Sequence, residues 1–252
     1  MRLLRRRRGP GSRLPGKPKT LPGTVYRQAG KRYLELFKDL GGLKPDHAVL
    51  EPGCGTGRMA RPLTDYLSAE GTYHGFDVMQ EAVDTCVEEI TSSHPNFRFQ
   101  HVDVHNRVYN RDGSLDPESF PFPYPDESFD LVFLTSVFTH MLPPEVRHYM
   151  DEIRRVLKPT GRSLMTFFLL NGESTAAIEA GRTKRTFAHE GDGYRFDIAG
   201  KPEAAVAYRE EDALSLIDDA GLVLDPPVHY GRWADHQPAA AGQDVVVVKW
   251  AG

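Results

Sequence analysis

A chain of 252 residues with 40% hydrophobic and 26% charged side chains can bury a full core, and its length suits one α/β domain better than two. It holds no run near the ~18 apolar residues a membrane helix needs. Its arginine-rich start, MRLLRRRRGPGSRLPGKPKT, lacks the apolar stretch of a signal peptide, so a cytoplasmic protein is expected.

Two cysteines, Cys54 and Cys86, are too few for a disulfide framework or a structural zinc site and are read as reduced thiols. Charge is uneven: residues 1–40 carry 12 Lys+Arg against 2 Asp+Glu, a net of +10 that leaves −14 for the rest of a chain totalling −4. Residues 1–23 read as a basic, disordered arm, because Gly, Pro and Arg in that proportion build no packed element. The sharper alternative is contact with an anionic partner. The acidic body shows no basic stripe or RNA-binding signature, so nucleic acid is not the expected substrate.

After the arm, TVYRQAGKRYLELFKDLGG spaces Tyr33, Leu36, Phe37 and Leu40 at helical intervals and stops on Gly41-Gly42. Apolar runs and helical patterns then alternate. The spacing predicts strand HAVLE, a helix over 58–69, strand TYHGFDV, a helix over 80–90 and strand NFRFQHVDV. Residues 105–128, with four prolines and an Asp112-Gly113 turn, read as a long loop. Strand FDLVFLTS follows, then a helix after Pro143-Pro144 whose Val146, Met150, Ile153 and Leu157 share a face, then strand SLMTFFLL. Residues 171–208 break the rhythm and read as an insertion of weak local structure. Helix REEDALSLIDDAG, strand GLVLDPPVHY and strand DVVVVKW close the chain. The linker between the last two strands shows no helical pattern, whereas a parallel crossover usually needs a helix, so the final pair should be antiparallel.

Gly53, Gly55 and Gly57 follow the first strand in HAVLEPGCGTGRMARPL. Glycines at a strand-to-helix junction let the backbone approach a ligand, and the helix start offers free N–H groups to a phosphate or a carboxylate. GTGRMA matches the dinucleotide pattern G-x-G-x-x-A, with Asp77 twenty residues after Gly57. Glu51, two residues ahead of Gly53, argues against a pyrophosphate, since it adds negative charge. Asp103 supplies a third acid, which ends the third strand.

With Glu51, the glycine trio, Asp77 and Asp103 in this order, the sequence over 24–252 resembles the class I S-adenosylmethionine-dependent methyltransferases. The resemblance implies a doubly wound, seven-stranded Rossmann-like α/β sheet with its last strand antiparallel. It implies that Gly53, Gly55 and Gly57 face the amino-acid end of S-adenosylmethionine and that Asp77 accepts from the ribose hydroxyls. Val78 and Met79 would pack on adenine, and Asp103 would take the adenine amino group with Val104 beside it. The polar-Pro-Pro-aromatic motif common among nitrogen methyltransferases is missing from LTSVFTHMLPP. The pattern VLEPGCGTGR, SVFTHM, RVLKPTG, FFLLN is similar to bacterial small-molecule O-methyltransferases, including those acting on sugar hydroxyls of polysaccharides.

A sugar hydroxyl needs a base, and His140 leaves strand four at the carboxyl edge where open α/β sheets bind ligands. The alternative for His140 is a structural histidine satisfied by a backbone carbonyl. The insertion 171–208, with Tyr194, and the loop 231–243 with His229, Tyr230 and Trp233 just before and within it, are expected to form the saccharide side. His229, His236 and Asp244 could join His140 around magnesium, although no ligand spacing shows this. The expected partners are a small-molecule acceptor and, as an option, a second copy in a homodimer.

Overall fold

The computed structural model describes residues 23–251, so the basic segment 1–23 lies, but for Gly23, outside the described residues. Helix α1 (Gly23–Asp39) leads into strand β1 (Ala48–Pro52), α2 (Ala60–Thr64), β2 (Thr72–Asp77), α3 (Gln80–Cys86) and β3 (Phe97–His101). After the long loop come β4 (Phe129–Leu134), α4 (Pro143–Val156), β5 (Leu157–Phe167), β6 (Leu169–Leu170), α5 (Gly172–Glu179), β7 (His189–Glu190), β8 (Tyr194–Phe196), β9 (Val206–Arg209), α6 (Glu210–Asp219), β10 (Leu222–Leu224) and β11 (Asp244–Trp250).

Seven strands form the main sheet in the order β10-β11-β5-β4-β1-β2-β3. β11 runs antiparallel to both β5 and β10, while the pairs among β1 to β5 are parallel. The two central strands are nearly continuous apolar runs because both faces are covered: Val49, Leu50, Leu131, Val132, Phe133 and Leu134 are fully buried. The chain winds outward from β1 in one direction through β2 and β3 and in the other from β4 through β5. That reversal makes the crevice between the ends of β1 and β4 the place where such sheets hold ligands.

Several elements differ from the sequence reading. The helix expected over 58–69 is a short one, Ala60–Thr64, after which the Tyr66 N–H bonds three residues back to the Leu63 carbonyl and tightens the chain out of the α-helix. α3 is carried on by a π-helical turn, Val87–Thr91. β10 is short because Asp225-Pro226-Pro227 follows and proline has no N–H for a ladder; beyond it His229 makes one isolated bridge to Val245. The segment 171–208 is more ordered than its composition suggests. With β6 and β9 it builds a four-stranded sheet, order β6-β9-β8-β7, over a core of its own from Phe168, Leu170, Phe187, Ala205 and Ala207.

Candidate active site

The glycine loop turns directly off β1. Gly53, Gly55 and Gly57 have φ of +75°, +51° and +77°, a region that costs other residues about 1–2 kcal/mol. A Cβ on Gly57 would stand 2.7 Å from Ile90 Cδ1 and one on Gly53 would stand 2.5 Å from Val137 Cγ2. A Cβ on Gly55 would meet no protein atom within 4 Å. Two of the glycines therefore let the loop pack, and the third leaves a bare surface over a cavity.

That cavity, about 390 Å³, opens at the carboxyl ends of β1, β2 and β4. One half is walled by Glu51, the loop residues Gly53 to Thr56, Arg58, Asp77, Val78, Met79 and Val104. Glu51 is 1% exposed, accepts a hydrogen bond from the Tyr73 hydroxyl and has no ion-pair partner among the described residues. Burial pushes its carboxyl well above the usual range, so a cation in the cavity would relieve it. Asp77 Oδ2 accepts from Gly55 N at 2.7 Å and Oδ1 from Met79 N at 2.9 Å. Burial raises its carboxyl and these N–H groups lower it; two of roughly four lone-pair sites remain for hydroxyl donors.

The residues fit S-adenosylmethionine: an open cradle at Gly55, a buried acid without a counter-ion for a cationic ligand, a half-satisfied carboxylate, and Val78, Met79 and Val104 beside it. Asp103 departs from expectation. β3 ends at His101, and the Asp103 carboxylate turns into the following loop. There it accepts from Ser114 Oγ at 2.7 Å, Ser114 N at 3.2 Å and Asn110 Nδ2 at 3.1 Å. The bonds from Ser114 hold its pKa low. It does not line the cavity; Val104, His105 and Asn106 do.

The other half of the cavity is walled by Asn106, Tyr109, Ser136, Val137, His140, Met141, Glu145 and Tyr149. His140 sits on the one-turn helix Phe138–His140 after β4. Its Nδ1 lies 2.9 Å from the Glu203 carbonyl. A carbonyl only accepts, so Nδ1 carries the proton and Nε2 keeps its lone pair. Burial lowers the imidazole pKa, partly offset by that carbonyl. Tyr109 stands edge-on to the ring, centroids 5.3 Å apart, with its hydroxyl 3.4 Å from Nε2. The structural alternative for His140 thus describes Nδ1, while Nε2 keeps a lone pair near the Tyr109 hydroxyl.

The expected saccharide side is not at this cavity. Trp233 packs on Phe168 and Phe187, and its Nε1 donates to Asp244 Oδ2 at 2.6 Å: an insertion with its own core draws the indole inward. Tyr230 stacks on His236 and donates to Glu210 Oε1 at 2.9 Å, and with His229 it lines a separate hollow within residues 228–240. Tyr194 is held in the β8–β9 pairing. Nor do His229, His236 and Asp244 converge with His140. Asp244 is consumed by Leu169 N, Gly231 N and Trp233, and among the described residues no three His, Cys, Asp or Glu stand close enough to share a metal.

Sequence reasoning missed Tyr26, whose hydroxyl lies 3.1 Å from the Thr56 carbonyl and 3.0 Å from its Oγ1, and Arg58, Asn106, Tyr109, Glu145 and Tyr149. The cluster HNRVYN directly after Asp103-Val104 was a readable signal for two of them. No local pattern announces Tyr26, which reaches the loop from thirty residues away.

Residues 49–161 match the family model described as a methyltransferase domain. Among curated relatives, the tRNA N(3)-cytidine methyltransferase METTL2 of Gallus gallus is 29% identical over 139 residues, 54% of this chain and 34% of that protein. The 27-O-demethylrifamycin SV methyltransferase of Amycolatopsis mediterranei is 31% identical over 198 residues, 79% of this chain and 62% of that protein. The chain thus spans between about a third and three fifths of these relatives' lengths. A solved S-adenosylmethionine-dependent methyltransferase from Aquifex aeolicus superposes with a TM-score of 0.56 at 18% identity, covering 90% of this chain and 92% of the other. The fold is that of the class I methyltransferases. Over residues 49–161 the chain is similar to a methyltransferase domain, and the cavity residues fit S-adenosylmethionine as the cofactor.

Proposed function

We propose that this chain transfers a methyl group to a hydroxyl of a small molecule, with His140 as the general base. The observation that carries the reading is the setting of His140, which lines the same cavity as Asp77 and the glycine loop: Nδ1 is fixed by the Glu203 carbonyl, and Nε2 keeps a lone pair with the Tyr109 hydroxyl 3.4 Å away. S-adenosylmethionine, when bound, supplies an electrophilic methyl on a sulfonium whose positive charge is lost in the transfer.

The residues that would hold it are Gly55 and Thr56 along the loop, Arg58 for a carboxylate, Asp77 for vicinal hydroxyls, and Val78, Met79 and Val104 for a flat apolar ring. Burial raises the Glu51 carboxyl, and a cation at the loop end would favour its ionised form, so that the two stabilise each other. In-line transfer needs alignment first, and the cavity wall supplies it. As the acceptor oxygen gains the methyl group, its proton passes to His140 Nε2, and the Glu203 carbonyl keeps the resulting imidazolium in place.

For the acceptor we propose a saccharide hydroxyl, as the likeness to sugar O-methyltransferases, including that of mycobacterial methylmannose polysaccharide, suggests. Tyr26 and Tyr109 are aromatic residues of the wall on which a sugar ring could lie; Trp233 and Tyr230 are not part of it. The competing acceptor is an apolar metabolite of polyketide type, favoured by Val137, Met141 and Tyr149 on the same wall and by the relative that acts on a demethylrifamycin. The two relatives' names place the methyl group on nitrogen in one and on oxygen in the other, so amines belong in the test.

The test is S-adenosylhomocysteine formation with simple and partly methylated sugars, polyketide alcohols, phenols and amines, with and without magnesium. Turnover on a hydroxyl that disappears in His140→Ala supports the reading. Turnover confined to amines, or binding of S-adenosylhomocysteine with no turnover on any acceptor, overturns it.

A further inference from the structure

His140 is reached from two directions by segments that are also bolted to each other. From the insertion side, the Glu203 carbonyl lies 2.9 Å from Nδ1. From the loop after β3, Asn106 Nδ2 donates to the His140 carbonyl at 3.2 Å, and Asn106 Oδ1 accepts from the main-chain N–H groups of Val108 and Tyr109, each at 3.0 Å. Between these segments stands one residue pair. The Glu203 carboxylate accepts from Arg107 N at 3.0 Å, and Arg107 Nε lies 3.7 Å from its other oxygen.

The pair is unusual in where its cost falls. Glu203 is 3% exposed although the Arg107 side chain is 65% exposed, so the carboxylate has given up water for one main-chain donor and one loosely held cation. A surface ion pair contributes little to stability, and burying one carboxyl generally costs. Burial accordingly pushes the Glu203 pKa up, against the lowering by Arg107. Anchoring that carboxylate fixes the orientation of the same residue's carbonyl, and that carbonyl fixes the imidazole.

We propose that Glu203, tied down by Arg107, is a positioning residue that sets the tautomer of His140, making the small second sheet and its connections part of the catalytic apparatus. The proposal rests on the reading of His140 as the base. A neutral imidazole puts its proton on either nitrogen according to the partner the other finds. With the proton on Nδ1, Nε2 accepts a proton from the acceptor hydroxyl; with the proton on Nε2, the cavity faces an N–H and the base is lost. Orienters of this kind, which act on a histidine through its far nitrogen, affect function without touching the ligand.

The experiment is ¹⁵N spectroscopy of the histidine side chains in the full-length protein, with the His140 signals assigned by their loss in His140→Ala. The expected native pattern is Nδ1 of the N–H type and Nε2 of the lone-pair type. In Glu203→Ala the two shifts should move toward each other as the tautomers mix, while binding of S-adenosylhomocysteine by calorimetry stays as in the native protein. With an acceptor from the screen in hand, kcat should fall about 10–100-fold at little change in KM. Glu203→Gln, whose amide oxygen still accepts from Arg107 N but which gives up the ion pair, should show a smaller shift of the same sign than Glu203→Ala.

If Glu203→Ala does not fold, Arg107→Met removes the cation and leaves every main-chain partner, and a smaller shift of the same sign is expected. A native spectrum with the proton on Nε2, or unchanged shifts in both Glu203→Ala and Arg107→Met, overturns the proposal. Failure of the base reading looks different: His140→Ala retains turnover, whatever the tautomer.

Discussion

Burial holds the His140 imidazolium down, so the lone pair on Nε2 is available across the neutral range. General-base catalysis typically contributes ~10²–10⁴-fold, and His140→Ala should lower kcat within that range. The imidazole's partners are the Glu203 carbonyl and Tyr109, not Asp77 or the glycine loop, so the affinity for S-adenosylhomocysteine should stay the same. The sign of the pH dependence follows from the lowered pKa: kcat should be flat at pH 7 and fall as pH drops through a value below 6.5, and the variant should lack that limb. A native limb above 6.5 would mean that another group titrates. Asp77 is the matching test at the cofactor end. Asp77→Asn keeps the shape and removes the charge, and hydrogen bonds to charged groups are worth about 1.5–3 kcal/mol, so S-adenosylhomocysteine should bind about 10–100-fold more weakly by calorimetry. Undiminished binding would move the ribose site elsewhere.

The glycine loop shows at the scale of one element how the same substitution separates fold from site. Gly57→Ala puts a Cβ 2.7 Å from Ile90 Cδ1 at φ +77°, so strain and clash together should lower stability by about 1–3 kcal/mol, read as a fall in the urea midpoint. Gly55→Ala carries the φ penalty alone, about 1–2 kcal/mol, and places its methyl where the ligand would lie, so its main loss should be in S-adenosylhomocysteine binding. Equal binding losses in two equally stable variants would contradict the division of labour. These glycines were legible because φ requirements and ligand approach act locally, and so were β1, β4 and β11, whose apolar runs are long enough to set a period. Strands of two or three residues such as β7 and β8 contain too few alternations to register. The aromatics of 228–236 misled for a related reason: composition says that Trp233 wants a partner, but whether it finds a ligand or Phe168 and Phe187 depends on a small core assembled from four distant segments. Asp103 reads from the sequence as the acid closing the third strand, but β3 ends at His101 and Asn110 and Ser114 turn its side chain into the following loop.

At the scale of the whole molecule, the buried carboxyls set how stability should respond to pH. Burial raises Glu145 to about 7, with Glu203 and Glu118 adding to the rise and Leu142 N and Arg107 opposing it. It lies on the first turn of α4, 7% exposed, with Oε2 accepting from Leu142 N at 2.6 Å. Its unfolded value is near the ordinary 4.5, so the folded chain takes up a proton near pH 7 that the unfolded chain does not. Stability should therefore rise as pH falls from 8.5 to 6.5, by roughly 1 kcal/mol from Glu145 alone, or about 2–4 °C in Tm for a chain this size. Glu51, Asp77 and Glu203 are pushed in the same direction. Below 6.5 the sign is contested, because His47, His74, His140 and His229 have lowered pKa values and the unfolded chain then binds protons that the folded one resists. Carboxylates with lowered values, such as Asp130 and Glu152, lose their contribution only at lower pH still. The profile should thus climb from alkaline pH to about 6.5 and flatten or turn below it. Glu145→Gln keeps an acceptor for Leu142 N and removes the titration, so the climb between pH 8.5 and 6.5, measured by calorimetry without ligand, should shrink by those few degrees. An identical climb in the variant would assign the proton uptake to the other raised carboxyls and leave Glu145 ionised in the cavity at neutral pH.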